Sequence, residues 1–235
     1  MTLLVPEAVT AAQSCYTRAV NDWWCPAYLS DYRHELWSAT LQHLWITLVS
    51  VAVGFLVAVP LALLARRYHR LESSILAVTT GIYTIPSLAL FPLIVPLTGL
   101  SPTTVVVGLA LYSLTILVRN TLEGLRAVPT DVRESAVGLG FSPIRLLFRV
   151  EFPLALPVVI AGLRIATVST VALTTVGAIV AYGGLGNLLF DGVSTNFKAE
   201  ILAASVICVL LAFALDGALV LTQRLLTPWT RLKAG

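Results

Sequence analysis

Residues 131–157 read DVRESAVGLGFSPIRLLFRVEFPLALP, the only long segment of this chain that is both charged and regularly patterned. Asp131 with Glu134 three residues on has the form of a helix start, because a capping oxygen and a first-turn carboxylate answer unpaired backbone N–H groups. Gly138 and Gly140 supply a stop. Ser142 and Pro143 restart a helix where the missing proline N–H would be unpaired anyway, and Pro153 is expected to end it. The unit reads as helix, glycine turn, helix. In its second helix Ile144, Leu147, Phe148 and Phe152 recur at helical spacing, while Arg145 and Arg149 lie four apart on another face.

Outside this island the chain is lipid-like. Of its 235 residues 57% are hydrophobic and 11% charged, with a mean hydropathy of +0.89, which excludes a soluble domain and implies an integral membrane protein. Five apolar stretches, at residues 44–64, 74–97, 103–118, 158–180 and 201–222, compare with the roughly 20 residues a helix needs to cross about 30 Å of hydrocarbon. The third is short. Pro86, Pro92 and Pro96 interrupt the second, and a kink or partial unwinding is expected at Ile85-Pro86-Ser87. The expected fold is an all-α membrane protein of about five spans. It has an arm at residues 1–42, a membrane domain at 43–222 holding the charged loop 119–157, and a tail at 223–235. Within the arm an amphipathic helix is expected from Ser30 to His43.

Orientation follows from the basic residues. With the amino terminus outside, twelve Arg and Lys fall on inner segments and only Arg18, Arg33 and Lys198 on outer ones. The positive-inside rule therefore places residues 131–157 and the carboxy terminus in the cytoplasm of a plasma membrane. The net charge of +3 arises from this topology and is no nucleic-acid signature. No metal-ligand spacing and no GxxxxGK[ST] phosphate loop occurs, so ATP chemistry is expected on another polypeptide. The histidines at 34, 43 and 69 fall at span edges and assemble no hydrolytic site.

A transport path needs polar groups that face inward from several helices. Thr80, Tyr83, Thr84 and Ser87 lie on roughly one face of the second stretch, Tyr112 and Ser113 come from the third, and Thr167, Thr170 and Thr174 recur in the fourth. The same stripes also suit simple helix packing. Asp216 is the one carboxylate well inside a span, open to a cationic substrate, a helix partner or hydration. Cys15 and Cys25, with nine residues between them in an outer arm, fit either a local disulfide or two separate thiols. Gly183-Gly184-Leu185-Gly186 reads as an outer connection with sharp turns.

The charged segment resembles the cytoplasmic "EAA" loop of ATP-binding-cassette importer permeases: Glu-Ala-Ala, three residues, Gly, nine residues, Ile-x-Leu-Pro. The matching residues are Glu134-Ser135-Ala136, Gly140 followed by Phe141, and Val150-Glu151-Phe152-Pro153. The stretches Ile85 to Leu90, Leu111 to Leu114, Val118 to Thr121, Ala161 to Arg164 and Gly183 to Gly186 look like the osmoprotectant branch, which serves glycine betaine, choline and carnitine. This resemblance implies a permease without a cofactor of its own. It implies as partners two cytoplasmic ATPases that carry ATP and Mg, a second permease subunit, identical or related, and an extracytoplasmic substrate-binding protein. Glu134, Ser135, Ala136, Gly140, Phe141 and Pro153 would serve ATPase coupling, and Tyr83, Tyr112 and Tyr182 would meet a quaternary amine by cation–π attraction. Methionine permeases of the same superfamily are the second reading. An ion-coupled secondary transporter or a membrane anchor is more distant.

Overall fold

A computed structural model describes residues 15–17 and 20–229. Among these residues all regular structure is helical, as lipid demands of a chain that must satisfy its own backbone. Four helical runs are long and apolar enough to cross a membrane. They are α2 (Arg33–Arg67), α5 (Pro102–Arg126), the run Pro143–Val180 and α10 (Lys198–Leu226). A fifth span arises if α3 (His69–Thr84) and α4 (Ser87–Thr98) count as one, although they are bent by 102°.

That bend sits at the expected proline. Pro86 holds Ile85 in an extended conformation (φ −66°, ψ 127°) and ends α3. The exposed carbonyl of Ile85 accepts from the Tyr112 hydroxyl, while the Pro86 carbonyl caps α4 by accepting from the N–H groups of Ala89 and Leu90. Both polar groups of the break are therefore answered by the protein.

Helix α5 is the centre of the fold. Its long apolar side chains meet small residues of α2: Leu114, Leu117, Val118 and Leu122 pack on Ala58, Ala62 and Ala65, a close approach that suits helices with no water to drive them together. The apolar stretch at 103–118 looked short for a span, yet α5 runs to Arg126. Its last two turns carry charge on one side while Leu122 and Leu125 stay buried on the other, which hydropathy counting alone does not separate.

The amino-terminal arm differs from expectation. In place of a separate helix over 30–43, a short α1 (Pro26–Asp31) stops at Tyr32, and α2 starts at Arg33 and continues straight through the first span. Leu36 is buried with Leu185, Leu188 and Ala203, so residues 33–42 are simply the first turns of the span helix. Cys15 and Cys25 are joined by a disulfide with Cα atoms 5.5 Å apart. At the same end, α9 (Leu185–Thr195) follows the glycine cluster. Gly184 sits at φ 56°, and a Cβ there would lie 2.7 Å from the backbone of His43, so the turn needs both its left-handed backbone and its missing side chain. His43 lies inside the helix core, not at an edge, with Nε2 3.0 Å from the Val171 carbonyl.

Alkylation of the denatured protein without reductant should mark only Cys208, and prior reduction should raise the count to three. Three labelled thiols without reductant would contradict the bridge. Mass spectrometry reads the difference directly.

Candidate functional site

The charged segment folds into two short helices and a bridge. Helix α6 (Thr130–Gly138) begins two residues earlier than the sequence suggested: Pro129 occupies the cap position and Asp131 lies inside the first turn. The carboxylate thus faces the positive end of the helix without bonding as a cap. The stop is a Schellman turn in which Phe141 N–H donates to the Ala136 carbonyl at 3.1 Å and Gly140 N–H to the Val137 carbonyl at 2.9 Å. Gly140 takes φ 81°, as the left-handed position of that motif requires. Ser142 then caps α7 (Pro143–Leu146) by accepting from Arg145 N–H.

Pro153 does not end the second helix. A π turn at Leu147–Glu151 joins α7 to α8 (Phe152–Thr174), and Pro153 stands in the first turn of α8. An α-helical proline clashes with the carbonyl four residues back. The wider turn just before it opens that position. The segment is therefore continuous with a membrane span.

Glu151 anchors this arrangement. Its side chain is 4% exposed, and both oxygens are taken by Arg66 at the end of α2, at 2.5 and 2.6 Å. Arg133 of α6 brings Nε to 3.0 Å from the same carboxylate and donates through Nη2 to the Leu125 carbonyl of α5. One buried carboxylate so ties α2, α5, α6 and α8 together. Alongside, Glu72 of α3 accepts from Arg126 at 2.5 Å.

The outer surface of the segment is unusually apolar for a charged loop. Leu139 is 79% exposed, Ile144 72% and Phe148 63%, next to exposed Glu134, Ser135 and Arg149. Ala136 is buried under the turn, and Phe141 is half-buried with the Arg145 guanidinium 4.8 Å above its ring. Leu147 and Phe152 are half-buried, so the four-residue apolar stripe read from the sequence divides between a half-buried and an exposed pair.

The polar residues singled out for a pathway divide in the same way. Ser113, Thr170 and Thr174 are buried between helices of this chain; their hydroxyls donate to the carbonyls of Ala110, Ala166 and Thr170, and Thr174 also meets Thr47. Tyr112 is buried at the Pro86 break. Tyr83 packs edge-on against it with ring centroids 5.7 Å apart, and is itself 44% exposed beside half-buried Thr80 and Ser87. Asp216 forms a two-pronged ion pair with Arg164 of α8, at 2.8 and 2.9 Å.

The binding-protein-dependent transport system inner membrane component family matches residues 37–232. The chain belongs to this family. Among its relatives, the osmoprotectant import permease protein OsmW of Salmonella typhimurium is 37% identical over 206 residues, spanning 86% of this chain and 96% of that one. The choline transport system permease protein OpuBB of Bacillus subtilis is 35% identical over 201 residues, spanning 86% and 93%. In fold, the permease is similar to the inward-facing MetNI methionine ABC transporter, with a TM-score of 0.77 at 21% identity over 84% of this chain and 98% of that one.

Sequence reasoning placed Glu151 within the loop motif and missed its role in this permease. The available signal was a lone carboxylate between Val150 and Phe152 at the mouth of a span, a position that demands a cation. Glu151→Ala leaves Arg66 and Arg133 facing each other without their shared counter-charge, and should destabilise the fold by about 2–4 kcal/mol. Limited proteolysis should then cut within residues 127–151 much faster than in the parent. Unchanged cleavage and an unchanged melting temperature would show that the cluster carries no weight.

Proposed function

We propose that this chain is the permease subunit of an ATP-driven importer of quaternary-amine osmoprotectants of the glycine betaine, choline and carnitine type. The observation that carries the reading is the coupling segment: an exposed apolar and charged surface that is braced by Glu151 and continuous with α8. Such a surface suits a soluble partner that must move a membrane helix. Two ATPase subunits bearing ATP and Mg would grip Glu134, Ser135, Leu139, Ile144 and Phe148, with Gly140, Phe141 and Pro153 holding the shape that they grip. A second permease subunit and an extracytoplasmic binding protein complete the importer.

The cytoplasmic placement of the segment is supported by its basic neighbours. Arg66, Arg67, Arg126, Arg133, Arg149 and Arg224 all lie toward the end of the bundle that carries α6 and α7, while the disulfide-bearing arm and α9 lie at the other. For the solute path we favour the open face of α3 and α4 at Thr80, Tyr83 and Ser87, with Tyr112 behind it. Ser113, Thr170 and Thr174 would shape that wall from within the helix packing. The relatives named for osmoprotectants and choline support the substrate class; the likeness to the methionine transporter speaks to fold. A secondary transporter would want a free midplane relay, and Asp216 is engaged by Arg164.

In proteoliposomes holding the permease, its ATPase and its binding protein, Glu134→Lys should lower ATP-dependent uptake of labelled choline or glycine betaine at least tenfold while permease levels in the membrane stay normal. Co-purification of the ATPase should fall in parallel. Undiminished uptake by this variant would refute the coupling role.

A further inference from the structure

At the end of the bundle opposite the coupling segment, the arm and the turn between α9 and α10 enclose a cleft of about 750 Å³. Three tyrosines and a phenylalanine build its wall. Tyr28 and Tyr32 stack with centroids 4.6 Å apart, Tyr16 stands edge-on to both at 6.1 and 5.9 Å, and Phe197 meets Tyr28 edge-on at 5.2 Å. The wall is held in place from both sides. The Cys15–Cys25 disulfide fastens Tyr16 beside α1, and the Tyr16 hydroxyl donates to Asp31 at 2.8 Å. Asn21 clamps the arm to the far turn, donating to the Asn196 carbonyl at 2.7 Å and accepting from Lys198 N–H at 3.0 Å.

The cleft is also acidic, with Glu35, Asp191 and Glu200 on its lining. Glu200 is the telling group. It is 9% exposed, yet among the described residues no hydrogen bond or ion pair reaches its carboxylate, and the charges that act on it are the like charges of Glu35 and Asp191. A glutamate in the first turn of α10 gains from the helix dipole, but that gain is a few tenths to about 1 kcal/mol and does not offset burial of an unpaired charge. Tyr28 itself is buried beneath Tyr32 at 1% exposure, so Tyr32 and half-buried Tyr16 are the rings open to the cleft while Tyr28 and Phe197 back them.

We infer that this cleft is a binding site for a small organic ammonium cation, which Glu200 would neutralise while the tyrosine faces hold its alkyl groups. Two features select that class. Aromatic faces attract a weakly hydrated cation electrostatically and shed little solvation in doing so. A metal ion needs several ligands converging on one point, and no group of three or more carboxylate, histidine or thiol ligands among the described residues is placed to hold one. The cation chemistry stands on this geometry alone; taking the cation to be the transported solute, held briefly as it passes from the binding protein, rests on the function proposed above.

The test uses the full-length permease with its ATPase in lipid nanodiscs, without binding protein. Equilibrium dialysis would compare choline and tetramethylammonium with 3,3-dimethylbutan-1-ol, the uncharged carbon analogue of choline. Saturable binding of both cations and none of the alcohol is expected. Glu200→Gln and Tyr32→Leu should each weaken it at least tenfold, and Tyr32→Phe, which keeps the ring, should bind within about twofold of the parent. Intact Cys15–Cys25 bridging and ATPase co-purification in each variant would show that the fold survives. Equal binding of the alcohol, or wild-type affinity in both Glu200→Gln and Tyr32→Leu, would overturn the inference. Full choline uptake by an importer whose permease binds no cation would overturn the site and leave the proposed function standing. Cation binding at the cleft in an importer that takes up no quaternary amine would support the site and sink that function.

Discussion

A single buried carboxylate organises the working end of this protein. Glu151 sits at the junction of the coupling segment and α8, and a charge so placed near hydrocarbon is tolerated only with a counter-charge in contact. Arg66 answers it from α2 and Arg133 from α6, while Arg133 also reaches the last turn of α5. The rigidity of the segment is thus an electrostatic fact as much as a helical one. On the function proposed above, a partner pressing on the exposed Ile144 and Phe148 would push on a lever whose other arm is a membrane span.

The rest of the bundle follows from the same scarcity of water. Broken backbone is permitted at Pro86 because Tyr112 supplies a donor, and the hydroxyls of Ser113, Thr170 and Thr174 fold back on carbonyls of their own helices. Arg164 and Asp216 meet each other for the same reason. Against this background of satisfied groups an unsatisfied one is informative. Glu200, 9% exposed and acted on only by like charges, stands out because the carboxylates of Glu151 and Asp216 are each answered by an arginine.

The two ends of the molecule are built on different principles. At the end that carries α6 and α7 arginines outnumber and enclose the acids, and the ion pairs are short. At the arm end aromatic rings and acids surround an open cleft, braced by a disulfide and by an asparagine clamp. Neither design is a by-product of spanning a membrane, since apolar helices with small-residue contacts would suffice for that.

Much was legible in one dimension. The helical character, the approximate spans, the break at Pro86 and the helix–turn–helix of residues 131–157 were all readable, because each rests on local chemistry: hydrocarbon length, proline's missing N–H, the left-handed preference at Gly140. Boundaries were less legible. Pro153 reads as a terminator until the π turn before it is seen, and the apolar stretch ending near Val118 conceals a helix that continues because its inner face stays buried. What the tertiary structure alone decided was partnership. Arg66 and Glu151 are 85 residues apart, Arg164 and Asp216 are 52, and Asn21 and Asn196 are 175. Separation along the chain says nothing of distance in space, and the charge of a side chain does not say which opposite charge, or which absent ligand, will answer it.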